Sequence, residues 1–188
     1  MKFTDTRPIS LLILFCDFAA VCFFVTATTL AWNYFYRHNT EYRLTMWGYI
    51  LTEPHSRKIR SYRDFDNFAE LAALLSMSHL VYFIAGIFVC VYDLRRCYPS
   101  VVGQLRRMNL IISFFFVLYT IYQVCLLLSW CLKVSEMERE GGLWFNEKTM
   151  ANPKMGFWFS VTATCLQAMV TIMRTLQVLL IRNKNSYE

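Results

Sequence analysis

Apolar residues along this chain gather into four runs, at about 9–33, 71–92, 108–132 and 156–181, separated by polar segments. Each run is apolar on all sides, whereas a helix covering a soluble core is apolar along one stripe. A hydrocarbon layer about 30 Å thick is crossed by about 20 helical residues. The pattern therefore predicts four membrane spans, with outer loops at 34–70 and 133–155 and an inner loop at 93–107. The chain reads as a single four-span membrane domain of all-α class. Lys2 and Arg7 precede the first run as in a signal peptide, but the run is long and contains Asp17, so it is read as a span.

One stretch outside the runs has a different period. Over residues 43–52, Leu44, Met46, Gly48 and Ile50 alternate with Thr45, Trp47, Tyr49 and Leu51. Period-two alternation of aromatic and β-branched residues predicts a strand over about 44–51. Trp47 is expected to pack on the end of the bundle, and Gly48 to sit where a side chain would crowd a neighbouring strand. Residues 58–62 are the candidate return strand of a small antiparallel sheet. Asn67 and Glu70 have capping-box spacing at the start of span 2. Asn152-Pro153 reads as the cap and first turn of span 4.

Charge adds an orientation. The formal net charge is +6, and basic residues are denser on the side carrying residues 1–8, 94–107 and 182–188. That side is expected to be cytosolic, with both termini inside. The positive charge then reports membrane orientation and not nucleic-acid binding. Arg95, Arg96, Arg106 and Arg107 are expected against anionic lipid headgroups. Cys97 beside them is a palmitoylation candidate or a free thiol. All seven cysteines lie in spans or on the inner side, so no disulfide is expected between the outer loops.

The candidate chemistry is inside the membrane. Asp17 and Arg174 are each costly there, by at least a few kcal/mol on insertion scales. They lie at matching depths, roughly 10–13 Å from the inner ends of spans 1 and 4. Those spans adjoin in a closed four-helix bundle, so an Asp17–Arg174 pair is expected, held by the guanidinium fork. Snorkelling of Arg174 to the inner headgroups is the alternative. His79, Gln123 and Gln167 fall within roughly one turn of each other in depth and are expected to form a polar cluster. No HExxH, CxxC, GxSxG or P-loop pattern occurs, and the three histidines are scattered. No catalytic, cofactor or metal site is expected.

The layout resembles the claudin and peripheral-myelin-protein superfamily: four spans, both ends inside, a longer first outer loop and a shorter second one. Leu44-Thr45-Met46-Trp47-Gly48 is also similar to the amastin signature of trypanosomatid surface proteins. Leu44, Thr45, Trp47, Gly48 and Thr52 fit that signature, and Met46 departs mildly. Ile50 stands where a basic residue or Gln is usual, and Arg43 and Glu53 stand in place of its two cysteines. The resemblance implies a left-handed bundle with a small extracellular antiparallel sheet, without the usual loop disulfide. It implies a non-enzymatic plasma-membrane or cell-surface protein whose partners are lipid and other membrane proteins, in adhesion, structure or as an auxiliary subunit. The alternative is a small transporter or proton/ion-relay subunit using Asp17, His79 and Arg174.

Overall fold

A computed structural model describes residues 7–37, 40–53, 56–60, 66–96, 105–144 and 152–184. Four helices dominate: α1 (Arg7–Thr29), α2 (Asp66–Arg96), α3 (Leu105–Trp144) and α4 (Met155–Lys184). All four are long and apolar enough to cross a membrane. α1 packs between α2 and α4, and α3 closes the bundle against α4 and, more lightly, α2.

The side chains are sorted as lipid would sort them. Phe15, Phe18, Phe88, Phe114, Phe115 and Leu132 point outward. Ser78, His79, Gln123, Gln167, Asp17, Asp93 and Arg174 are buried inside. A hydrocarbon solvent gives apolar surfaces no reason to hide, so helix association rests on packing and on polar contacts within. Some hydroxyls on the helices are satisfied locally: Thr120 donates to the Phe116 carbonyl (2.7 Å) and Thr164 to that of Ser160 (2.8 Å).

The helices and strands differ from the apolar runs in several places, among them α2, which continues past 92 to Arg96. Span 1 ends at Thr29, before Asn33 opens a strand. α3 runs 40 residues, so helix occupies 133–144 where a loop was expected. At 1.5 Å per residue it is about 60 Å long, roughly twice the hydrocarbon thickness. Its final turns therefore stand clear of any membrane the bundle crosses. Finally, Asn152-Pro153 is not a helix cap. It pairs as a two-residue strand, and α4 starts at Met155.

A five-stranded antiparallel sheet sits at one end of the bundle, in the order β4-β3-β2-β1-β5. Its strands are β1 (Asn33–Arg37), β2 (Thr40–Leu44), β3 (Tyr49–Glu53), β4 (Ser56–Arg60) and β5 (Asn152–Pro153). The expected single strand over 44–51 is instead two strands and a reversal. Leu44 pairs with Tyr49, and Thr45–Gly48 form the connection. Thr45 closes the reversal: its amide and its hydroxyl both donate to the Gly48 carbonyl, at 2.9 and 2.7 Å. Threonine hydroxyls close turns in this way. The return strand is Ser56–Arg60, slightly earlier than 58–62.

Two glycines mark the tightest described approaches. A Cβ on Gly156 would meet Trp32 Cδ1 at 2.6 Å and the carbonyl oxygens of Ala31 and Leu30 at 2.9 and 3.0 Å. A Cβ on Gly86 would press on Val21 Cγ2, the end of a side chain. Backbone cannot step aside as a side chain can. Gly156→Ala is therefore expected to lower the midpoint of thermal unfolding clearly more than Gly86→Ala, measured on detergent-purified protein.

Candidate functional site

The hairpin tip is a plug in the sheet end of the bundle. Leu44 and Met46 point down and are almost fully buried, while Trp47 is 66% exposed. The alternation seen in the sequence thus survives as in–out burial although the backbone turns. The Met46 carbonyl accepts from Ser76 Oγ (3.1 Å), tying the tip to α2. Trp47 does not pack its ring on the bundle end. Its indole nitrogen donates to the Thr28 carbonyl (2.9 Å) at the end of α1.

Beneath the plug lies Trp32, fully buried. Its ring stands edge-on to Trp130 (4.9 Å between centroids) and Phe157 (6.0 Å). Its amide donates to the Leu44 carbonyl (2.7 Å) and its indole to that of Ala27 (2.8 Å), and its own carbonyl accepts from Lys154 (2.7 Å). Trp130 in turn donates to Asn33 Oδ1 (2.8 Å). One tryptophan therefore joins α1, the hairpin and the segment entering α4.

One level further in, Met46 Sδ touches His79 Nδ1 (3.1 Å). His79 Nε2 faces Ser160 Oγ (3.0 Å) and Gln123 Nε2 (2.8 Å). Gln123 Oε1 accepts from Ser78 Oγ (2.6 Å), which orients the amide with its NH2 toward the histidine. An amide nitrogen has no lone pair to give, so His79 Nε2 is the acceptor and Nδ1 carries the hydrogen. His79 and Gln123 thus meet. Gln167 does not join them: its amide reaches the Phe116 carbonyl at 3.4 Å. A double-mutant cycle between His79→Ala and Gln123→Ala, read by unfolding, should give a coupling of about 0.6–1.7 kcal/mol. Coupling of either to Gln167→Ala should be near zero.

Toward the other end of the bundle, Arg174 Nη2 donates to Asp17 Oδ2. The same nitrogen also donates to Asp93 Oδ2, and Nη1 donates to Asp93 Oδ1 at 3.1 Å. All three side chains are within 1% of complete burial. The guanidinium fork thus grips Asp93 with two bonds while holding Asp17 from α1, which links α1, α2 and α4. Arg174 does not snorkel. Phe116 of α3 lies under its charge, 5.6 Å from the guanidinium carbon to the ring centroid. Sequence reasoning missed Asp93, reading it as a boundary charge ahead of Arg95 and Arg96. The available signal was its spacing of three helical turns from Tyr82, which puts both on one face. Past the triad, Gln177 bonds Ser10 (3.0 Å) and Tyr92 bonds Asn109 (3.0 Å).

Arg95 is exposed at the end of α2. The side chains of Arg96, Arg106 and Arg107, and residue Cys97, lie outside the described ones. Six described cysteines, Cys16, Cys22, Cys90, Cys125, Cys131 and Cys165, are free thiols. Among the described residues no group of three His, Cys, Asp or Glu side chains is placed to hold a metal ion.

No protein-family model matches the chain, and no curated protein matches it. The class rests on fold and site. Four helices are compatible with an integral membrane protein, and they surround a polar core capped at one end by a sheet.

Proposed function

We propose that this is a non-enzymatic integral membrane protein of the plasma membrane that works through protein contacts made by its sheet end. The roles that fit are adhesion, structure, or service as an auxiliary subunit of a larger membrane complex. The observation that carries the reading is the division of labour at the sheet end. Leu44, Met46 and Trp32 lock the sheet to the bundle, while Trp47 and Ile59 (79% exposed) hold apolar side chains outward. Isolated exposed apolar residues are common, but a fixed Trp on a hairpin tip is the kind of anchor that binding surfaces use. On this reading the sheet is extracellular and both termini cytosolic, the claudin- and amastin-like layout. The four-helix bundle with an antiparallel sheet at one end supports that likeness.

Photo-crosslinking residues placed at 47 and 59 in intact cells should capture a discrete membrane protein or a second copy of the chain. Trp47→Ala with Ile59→Ser should abolish the effect of the wild-type protein without loss of folded yield. Adducts with lipid alone at both positions would reject the contact reading.

A second reading, a proton- or ion-relay subunit, is favoured by one feature: Asp17, Asp93, Arg174 and His79 all lie inside the bundle. Purified protein in liposomes containing a pH-sensitive dye should show flux that Asp17→Asn abolishes if this reading holds. Silent liposomes would leave the triad a structural lock.

A further inference from the structure

Five buried side-chain atoms make no hydrogen bond within the protein: Asp17 Oδ1, Tyr82 Oη, Ser113 Oγ, Gln167 Oε1 and Arg174 Nε. Each of these side chains is more than nine-tenths buried. They come from all four helices. Phe116 relates them: Arg174 lies over its ring at 5.6 Å, Tyr82 stacks on it at 5.9 Å between centroids, and Gln167 bonds its carbonyl. Ser113 precedes Phe116 by one turn on α3, and Asp17 is bound to Arg174. Polar groups without partners are costly in a buried setting, and a native fold seldom leaves five of them unanswered.

We propose that the bundle interior around Phe116 and the Arg174 triad holds internal water that hydrogen-bonds these atoms. The chemistry of the set selects the occupant. Asp17 Oδ1 and Gln167 Oε1 only accept, Arg174 Nε–H only donates, and the hydroxyls of Tyr82 and Ser113 do either. Water satisfies both kinds at once. A metal cation would leave the arginine donor unanswered and would meet its positive charge. An apolar occupant would answer none of them. The hydrated region stands apart from the contact reading above, since it involves no surface residue.

The test uses the sign of a stability change. Tyr82→Phe and Ser113→Ala each remove one hydroxyl and little volume. If water bridges these groups, each change strips a bond from it and lowers the unfolding midpoint of the purified protein. If the region is dry, each change removes an unsatisfied group and raises the midpoint. The independent readout is synchrotron hydroxyl-radical labelling, which modifies side chains beside bound water. Tyr82 and Phe116 should label faster than Trp130, which is buried to a similar degree and whose indole nitrogen is already bonded to Asn33. A midpoint that rises or stays unchanged in either variant, or labelling of Tyr82 and Phe116 no faster than Trp130, overturns the proposal.

Discussion

Replacing Arg174 with Ala is expected to cost the protein most of its folded yield. The change leaves Asp17 and Asp93 facing each other in the bundle with no counter-charge from that position. Breaking a buried ion pair by removing one partner typically costs about 3–5 kcal/mol. That approaches the whole stability of an ordinary domain, about 5–15 kcal/mol. Arg174→Lys should fall between, because an ammonium is a point charge and cannot hold one carboxylate with two bonds while gripping another. The decisive companion is the neutral triple variant, Arg174→Met with Asp17→Asn and Asp93→Asn. It should recover much of the lost yield, since exchanging all charges in a buried network is far milder than orphaning some of them. A simple swap, Asp17→Arg with Arg174→Asp, should recover little, because Asp93 would then face a carboxylate at position 174. Monodisperse yield in size-exclusion chromatography reads all four. Wild-type yield from Arg174→Ala would show that the triad does not hold the helices together.

The second large effect is expected from Trp32→Ala. The indole is fully buried against Trp130 and Phe157, and its nitrogen bonds the Ala27 carbonyl. Truncating a buried aromatic side chain costs about 3–5 kcal/mol, from lost contacts and from the cavity left behind. Here the damage should be local in a telling way, because Trp32 joins the hairpin to the ends of α1 and α4. Limited proteolysis should cut within residues 40–60 much faster in the variant, while the α1–α4 core remains protected. Trp32→Phe keeps most of the ring and loses one hydrogen bond, so about 0.5–1.5 kcal/mol is expected beyond the packing change. Trp47→Ala is the contrast. Its ring is exposed, and surface changes usually stay within about 0.5 kcal/mol. A thermal melt of the three variants should rank Trp32→Ala lowest and leave Trp47→Ala close to wild type. If Trp32→Ala melts with wild type, the sheet is held by other contacts.

What the sequence by itself determined is what depends on local sums. The cost of placing a segment in hydrocarbon adds up residue by residue, so four long apolar helices were legible from 9–33, 71–92, 108–132 and 156–181 alone. Depth along a helix is equally local, at 1.5 Å per residue, and it placed Asp17 level with Arg174. The period-two pattern starting at Leu44 was legible too, and Leu44 and Met46 are buried on one side of it, but Trp47, expected against the bundle end, is exposed.

Only the tertiary structure decided which faces meet. Whether two groups at one depth touch depends on the rotation of each helix about its axis, and packing against neighbours sets that rotation. His79 therefore reached Gln123 while Gln167 turned toward Phe116. Asp93 looked like the first charge of a loop because Arg95 and Arg96 follow it, yet α2 continues to Arg96 and carries Asp93 inward to Arg174. The strand that became a hairpin has the same origin. Residues 44–51 have strand propensity except at Gly48, and there the chain reverses, closed by the amide and hydroxyl of Thr45 on the Gly48 carbonyl. That bend lets Met46 enter a bundle end built by residues of two other segments, Trp32 after α1 and Ser76 and His79 of α2. No local sum along residues 44–51 contains those contacts, because the groups that make them arrive from elsewhere in the chain.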